Sequence, residues 1–429
     1  MSNFIEHMKN DFSVLIKTGL AHIVSSSVVN KVISFAGGII LVRLISKDAY
    51  GVYSYANNLL GFFMIVSGLG ATAAVLQLCS EVKNIGDRVK FYKFGCVFGL
   101  SFNTVLGVIV LGGSLFINLP INGANYYLAL MCFLPLVHLL SDLLIMYLRT
   151  ELKNKEYAWS NMICTFIHFI CIIIFSYLFQ ATGLIFAQYI SYLLSSVLII
   201  FLFNVPFSLE KPNISKSDLN VFFSISGISV INNGLSKLMY LLDIFVLGLV
   251  MPNDSIIASY KVATHIPTAL SFVPASIVVY IYPYFARNKD NKKWVIQTFK
   301  KIIQYLGLFN AIVVIGLCII APKLISFVFG EQYLDAVPVF RVLCISYFFS
   351  GTFRSISGNL LVTQRKLKFN LFVSFVSGVL NLILNYYLIK TFGPIGAAWS
   401  TLITAIFCAI VSTTYLLFTF NRISGKMVT

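Results

Sequence analysis

The sequence predicts an all-α integral membrane protein with about twelve transmembrane helices, arranged as two repeated six-helix lobes around a central cavity. Three observations support this fold class: the composition, the length of the apolar stretches and an internal repeat. Of the 429 residues, 58% are hydrophobic and only 11% are charged, and the mean hydropathy is +0.88. Because so few side chains are charged, the chain is expected to lie in a lipid bilayer.

The apolar stretches set the number of helices. About twelve of them reach the length of roughly 20 residues that a helix needs to cross a hydrocarbon core of ~30 Å. They lie at residues 20–44, 50–75, 92–117, 124–147, 158–179, 183–204, 221–249, 256–285, 302–328, 334–362, 369–389 and 395–420. The first follows Lys9 and Lys17 without a small-residue cleavage site, which predicts an uncleaved helix and not a signal peptide.

The basic residues predict the orientation of the chain. The formal net charge is +16, but the lysines and arginines are spread over alternate loops and form no single stripe, which argues against a nucleic acid partner. Placing the N-terminus in the cytoplasm puts most of the 31 basic residues on that side of the membrane. The positive-inside rule therefore predicts that both termini are cytoplasmic.

An internal repeat predicts the domain organisation. Tyr53 aligns with Tyr260 at an offset of 207, Lys31 with Lys237 at 206, and Gly183 with Gly393 at 210. Such nearly equal offsets indicate a duplicated six-helix unit, and because six is even, both copies have the same orientation in the membrane. We predict an N-terminal lobe at 1–205, a cytoplasmic linker at 206–217 and a C-terminal lobe at 218–429.

Polar side chains inside the predicted spans indicate a binding cavity. A charge near the middle of a transmembrane helix costs on the order of 3 kcal/mol, so it is expected to face a protein interior or a wet cavity. Helical periodicity places these side chains on stripes. The predicted substrate-binding residues of a cationic cavity are Lys31, Asn57, Asn58, Asn233, Lys237, Lys261 and Arg354. A structural ion pair is the alternative for the cations, and an excess of positive charge favours an anionic substrate, such as phosphate with sugar.

Four titratable residues are candidates for coupling transport to an ion. His138 and Asp142 stand at i, i+4, so they could relay a proton or form a hydrogen bond that locks the helix. Asp243 is expected to neutralise a cation on another helix or to cap a carbonyl-rich region, and His265 follows Lys261 on the eighth span. Proton coupling, sodium coupling and the membrane potential all stay open. The eight cysteines show no ligand spacing, so neither a metal site nor a cofactor is expected.

Motifs distributed along the chain resemble those of a known family. The first half carries RLISKDAYGVYSYA followed by SGLGATAAV, and the second carries LLDIFVLG, IASYKVA, IYPYFAR, FGEQYLDAVPVFRVL and FGPIGAAWSTLI. In this order and spacing the motifs resemble the O-antigen and capsular polysaccharide flippases (Wzx type) of the multidrug, oligosaccharidyl-lipid and polysaccharide exporter superfamily.

The resemblance implies a function. Such a protein would lie in the bacterial inner membrane and move an undecaprenyl (polyprenyl) diphosphate-linked oligosaccharide from the cytoplasmic to the periplasmic leaflet by alternating access. Its lumen would be cationic, a role that Lys31, Lys237, Lys261 and Arg354 would take here. Besides membrane lipids and the lipid-linked glycan, its partners would include a polysaccharide polymerase and a chain-length regulator.

Two other functions fit the sequence less well. A multidrug antiporter of the same superfamily would extrude organic cations, which a net-positive cavity disfavours because cationic drugs need unpaired carboxylates. A polysaccharide polymerase or ligase would need a large external loop with catalytic residues, and the predicted external loops are short. The expected protein is therefore not an enzyme.

Overall fold

The structure, a computed structural model, is built from helices joined by short connections. It describes residues 20–424 apart from 83, 208–211, 213, 289–290 and 365. The helices of the first half are α1 Leu20–Leu44, α2 Lys47–Ile65, α3 Ala71–Glu81, α4 Ile85–Phe116, α5 Ala124–Leu130, α6 Leu134–Thr150 and α7 Asn154–Phe203. Those of the second half are α8 Lys216–Val250, α9 Asp254–Leu270, α10 Phe272–Arg287, α11 Lys292–Phe329, α12 Val337–Phe349, α13 Ser355–Thr363, α14 Leu367–Phe392 and α15 Pro394–Ser424.

The helices agree with the predicted spans. Within the described residues, nine helices are long and apolar enough to cross a membrane, and the bent pair α5 and α6 would be a tenth. Two predicted spans share the 50-residue helix α7, which Gln180 interrupts with a non-helical backbone. Each of the twelve predicted stretches thus overlaps a helix or a broken pair of helices.

Asparagine side chains start three of these helices. The Oδ1 atoms of Asn84, Asn253 and Asn291 accept hydrogen bonds from backbone N–H groups at the first turns of α4, α9 and α11, respectively. The first turn of a helix has N–H groups without intrahelical partners, and an N-cap asparagine satisfies one of them. These caps fix where the helices begin after their connecting loops.

The two halves contain the same sharp break between two spans. Gln180 has φ 54° and ψ −136°, and Gly393 has φ 66° and ψ −146°. Three residues later, Gly183 and Gly396 lie so close to the carbonyls of Phe175 and Leu388 that a Cβ atom would come within 1.8 Å and 2.0 Å of those oxygens. Both glycines therefore permit a close backbone approach that other residues forbid. The repeat offset here is 213, so the predicted alignment of Gly183 with Gly393 is wrong by three residues.

The second span is broken between α2 and α3. Gly68, Leu69 and Gly70 have positive φ values there, and Gly68 donates its N–H to Oδ1 of the fully buried Asn103 at 2.6 Å. The Nδ2 atom of Asn103 donates to the carbonyl of Pro135 at 2.6 Å. Asn103 thus satisfies a backbone N–H at the break and links the break to the first turn of α6.

Contacts divide the described chain into two compact units. Unit 1 contains the described residues up to Ala49 together with Leu59–Gly234, and unit 2 contains Tyr50–Asn58 and the residues from Leu235 onward. The core of unit 1 centres on α3, α4 and α6, and that of unit 2 on α10, α11 and α13. The lobe boundaries predicted at 206–217 stay a prediction.

Candidate functional site

A cavity of about 270 Å³ lies inside unit 2 and brings together three of the predicted site residues. Its wall is formed by α8, α9, α12, α14, α15 and the turn that follows α12. Lys261, Arg354 and Asp243 all line it. With both basic groups protonated and the carboxylate ionised, these residues leave the cavity one positive charge in excess.

Arg354 ends a π-helical turn. The turn runs from Ser350 to Arg354 and joins α12 to α13. Such turns are rare and occur often at functional sites, because the extra residue changes which way the side chains point. Thr352 in the middle of the turn accepts a hydrogen bond at 2.9 Å from Nδ2 of Asn310, which is fully buried on α11. This contact fixes the turn that carries Arg354.

Tyr347 connects this turn to the break between α9 and α10. Pro274 has no N–H to donate to the carbonyl of Leu270, four residues earlier. The hydroxyl of Tyr347 lies 3.1 Å from that carbonyl oxygen and 3.1 Å from Oδ1 of Asn310, so its O–H can donate to either. The carbonyl that proline leaves without its helical partner therefore has a side-chain partner at the cavity wall.

Asp243 is held by neutral donors. Its Oδ2 atom accepts from Tyr260 at 2.9 Å and from Thr401 at 2.5 Å, and its Oδ1 atom accepts from Asn385 at 2.8 Å and from Asn381 at 3.4 Å. The residue is only 7% exposed. Four donors replace the water that burial removes from the carboxylate.

These contacts differ from the prediction for Asp243. The sequence predicted a cation on another helix or a carbonyl-rich region as its partner, whereas the four donors described are hydroxyl and amide groups. Its negative charge is therefore not cancelled by any of these partners. Lys261 lines the same cavity as Asp243.

The remaining predicted binding residues do not line this cavity. Lys31 and Lys237 are exposed, Asn57 is partly buried, and Asn58 is buried. The side chain of Asn233 lies outside what the structure describes. The predicted stripes thus identified Lys261 and Arg354 as neighbours of one cavity, and the placement of the other residues in a binding site stays a prediction.

His265 has a partner on the second span. Its Nε2 atom lies 2.9 Å from the hydroxyl of Tyr50, within unit 2. The ring of His265 also packs against Phe329 at 5.8 Å between ring centres. Gly51, next to Tyr50, is so close to the carbonyl of Asp254 that no Cβ would fit between them. His265 therefore takes part in the packing of this short part of α2 against α9.

In unit 1 the predicted pair of His138 and Asp142 is present. Nδ1 of His138 lies 3.1 Å from Oδ2 of Asp142. Tyr192 packs edge-on against His138 at 4.9 Å between ring centres and stacks on His168 at 5.6 Å. His168 lines a second cavity, of about 390 Å³.

Sequence reasoning missed the partners of Asp243. Asn381 and Asn385 stand at i, i+4 on the apolar helix α14, and Nδ2 of Asn385 donates to Oδ1 of Asn381 at 3.0 Å. This spacing of two asparagines is the signal that could have identified a polar face on the eleventh span. Tyr260 and Thr401 give no comparable signal, because their hydroxyls are common in transmembrane helices.

Comparison with known proteins identifies the family. A family described as "Polysaccharide biosynthesis protein" matches residues 40–338. The chain belongs to this family. It is 28% identical over 37% of its length to an uncharacterised membrane protein in the cps region of Klebsiella pneumoniae, and 27% identical over 28% of its length to the lipopolysaccharide biosynthesis protein WzxC of Escherichia coli. These alignments cover only 32% and 24% of the two relatives.

Solved structures share the fold over almost the whole chain. An inward-facing multidrug resistance MATE family transporter of the MOP superfamily superposes with a TM-score of 0.78 and 14% identity, covering 92% of this chain and 96% of that one. The lipid II flippase MurJ, in an inward closed conformation, gives 0.75 and 17%, covering 93% and 87%. At such identities the likeness shows the fold alone. The predicted all-α membrane fold and the resemblance to polysaccharide flippases are confirmed.

Proposed function

We propose that the protein is a flippase that moves a polyprenyl diphosphate-linked oligosaccharide from the cytoplasmic to the periplasmic leaflet by alternating access. The membrane would be the bacterial inner membrane, with both termini of the chain in the cytoplasm, as the distribution of basic residues predicts. The product would then be consumed by a polysaccharide polymerase, whose products a chain-length regulator would control.

The observation that carries the proposal is the cavity with Lys261 and Arg354 in its wall. A diphosphate presents several anionic oxygens, and a guanidinium can bind two of them at once, whereas an ammonium acts as a point charge. In surroundings of low dielectric these attractions are stronger than in water. The family match to polysaccharide biosynthesis proteins supports a diphosphate-linked glycan as the anion.

The same charges disfavour the other functions. The cavity has two basic side chains and one carboxylate in its wall. An organic cation would meet net repulsion there, which argues against a multidrug antiporter. An enzymatic role as polymerase or ligase has no specific observation in its favour.

Asp243 is the best candidate for ion coupling among the four predicted residues. Its carboxylate is buried with hydroxyl and amide oxygens around it, including Oδ1 of Asn385, which is buried without a hydrogen bond in the described structure. Oxygen atoms of this kind are suitable ligands for a small cation such as sodium, and a carboxylate can also bind a proton. His138 with Asp142 and His265 stay candidates for proton transfer.

The cavity can be tested by replacing its cations. Lys261→Gln and Arg354→Gln should each lower surface polysaccharide in a strain that depends on this protein, and the pair together should abolish export. Lys390→Gln is the matched control, because Lys390 is exposed on α14 and lies over the ring of Tyr386.

All variants are compared at equal protein levels in the membrane. Export that stays at the wild-type level in the double variant would refute the role of this cavity. An equal loss in Lys390→Gln would show that any lost cation impairs export.

A further inference from the structure

The second cavity, inside unit 1, has a wall of a different chemistry. Its volume of about 390 Å³ is within the range of small-molecule sites, roughly 300–1,000 Å³. It lies between α1 and both arms of α7, and its lining includes Ser34, Gly37, Thr165, His168, Phe169 and Tyr192. None of the described residues that line it has a formal charge when its histidine is neutral, unlike the cavity with Lys261 and Arg354 in unit 2.

Hydrogen bonding leaves acceptor atoms at this wall. The hydroxyl of Ser191 lies 3.0 Å from the carbonyl of Gln188 and 2.8 Å from Nδ1 of His168. When its single O–H donates to that carbonyl, the N–H at Nδ1 of His168 donates to Ser191. In the neutral ring Nε2 then has a lone pair. Thr165 likewise donates its O–H to the carbonyl of Asn161 at 2.9 Å, which leaves the lone pairs of its oxygen. The wall therefore favours a ligand that donates hydrogen bonds.

Aromatic rings form part of the same wall. Phe169 and Tyr192 line the cavity, and Tyr192 is fixed by stacking on His168 at 5.6 Å between ring centres. A Cβ atom at Gly37 would come within 3.2 Å of the Phe169 ring, so the glycine lets the ring pack closely against α1. The face of an aromatic ring carries partial negative charge and attracts the weakly positive C–H groups of a sugar.

We propose that this cavity binds one neutral sugar ring of the transported glycan. The inference rests on the proposed function. A neutral sugar has hydroxyl groups to donate to His168 and Thr165 and C–H groups to pack against the aromatic rings. A sugar carboxylate would find no cation among the described lining residues. Acidic sugars should therefore be excluded.

The test measures sugar binding to the purified full-length protein in lipid nanodiscs by saturation-transfer NMR. The probes are D-glucose, D-galactose and N-acetyl-D-glucosamine, with D-glucuronate as the acidic comparator. At least one neutral sugar should bind saturably and D-glucuronate should bind more weakly. Because one hydrogen bond contributes about a fivefold change in affinity, Thr165→Val and His168→Phe should each weaken binding about fivefold.

Thr104→Val is the matched control. Thr104 is an exposed helical threonine of unit 1 that also donates to the carbonyl four residues earlier, at 2.9 Å, so its replacement should leave sugar binding unchanged. Thermal unfolding of each variant separates lost binding from lost folding. The inference is overturned when no neutral sugar binds, when D-glucuronate binds as well as the neutral sugars, or when folded Thr165→Val and His168→Phe bind like wild type.

Inorganic diphosphate is titrated into the same samples to separate this inference from the proposed function. If diphosphate binds and needs Lys261 and Arg354, but no sugar binds, only the sugar subsite in unit 1 is overturned, and the cavity there holds water alone. Sugar binding without diphosphate binding would support the subsite and count against the diphosphate role of the unit 2 cavity.

Discussion

The glycine after each repeated break should be intolerant of even one added methyl group. In Gly396→Ala, the new Cβ would lie 2.0 Å from the carbonyl oxygen of Leu388, whereas ordinary contacts begin near 3.4 Å. The backbone of α14 or α15 would have to move by about 1.4 Å, the difference between these two distances. Overpacking of a buried site typically costs about 1–3 kcal/mol, and because both groups are backbone, we expect the upper end, about 3 kcal/mol.

The loss of stability can be measured as a lower unfolding temperature of the detergent-solubilised protein, with fluorescence-detected size-exclusion chromatography as the readout. A loss of about 3 kcal/mol lowers an unfolding temperature by roughly 6–12 °C in a unit of this size. Gly183→Ala, where the Cβ would lie 1.8 Å from the carbonyl of Phe175, should behave the same way. In contrast, Gly378→Ala on α14 meets nothing within 4 Å and should be neutral or slightly stabilising. Equal stability of Gly396→Ala and Gly378→Ala would refute the close approach.

Three further predictions follow from the hydrogen-bonding networks. Asp243→Asn should lower the free energy of unfolding by about 1–3 kcal/mol, because an amide cannot accept four hydrogen bonds. It should also remove any sodium or proton dependence of transport. A variant with wild-type ion dependence would exclude Asp243 from coupling. Tyr347→Phe should cost about 1 kcal/mol of stability, because it removes the O–H that donates to the Leu270 carbonyl or to Oδ1 of Asn310. Unchanged thermal unfolding would contradict that role. Arg88→Gln should break the mostly buried ion pair with Glu151 in unit 1 and lower the free energy of unfolding by about 1–3 kcal/mol. Lys90→Gln is the control, because Lys90 belongs to a mostly exposed pair and its replacement should have no measurable effect on unfolding.

The fold was largely predictable because its signals are local. A stretch of about twenty apolar residues has no alternative to a helix in lipid, so each predicted span overlaps helical residues. The breaks were harder to predict. Gln180 adopts φ 54°, which a residue other than glycine rarely does. Only the similar backbone angles of Gly393 at the corresponding position in the second half show that the conformation belongs to the repeat. Because a glutamine in the first half corresponds to a glycine in the second, sequence similarity aligned Gly183 with Gly393 and gave the wrong repeat offset.

The site was predictable only in part. Depth and periodicity identify which side chains of a helix share a face, and this is how Lys261 and Arg354 were found. They do not determine which face meets protein. Lys31 and Lys237 are exposed in the structure, and their place in a binding site stays a prediction. The donors to Asp243 on α14 and α15 are 138 to 158 residues away along the chain. Helical periodicity relates residues within one helix only, so it cannot predict such contacts.

His168 shows the same limit within one helix. Its partner Ser191 lies 23 residues later, far beyond the reach of a straight helix. The break at Gln180 reverses α7 midway between the two residues and brings its arms together. The spacing of residues along a straight helix therefore does not identify His168 as part of the cavity of unit 1.

The most direct test of the central claim is transport by the purified protein in liposomes. The substrate is a polyprenyl diphosphate-linked sugar that carries a fluorescent group on the sugar, and a membrane-impermeant reductant added outside removes the fluorescence of the outer leaflet. With wild-type protein, fluorescence should be lost from both leaflets, and Arg354→Gln should slow the loss from the inner one. Loss confined to the outer leaflet with wild-type protein, as in protein-free liposomes, would contradict the claim that this protein is a flippase.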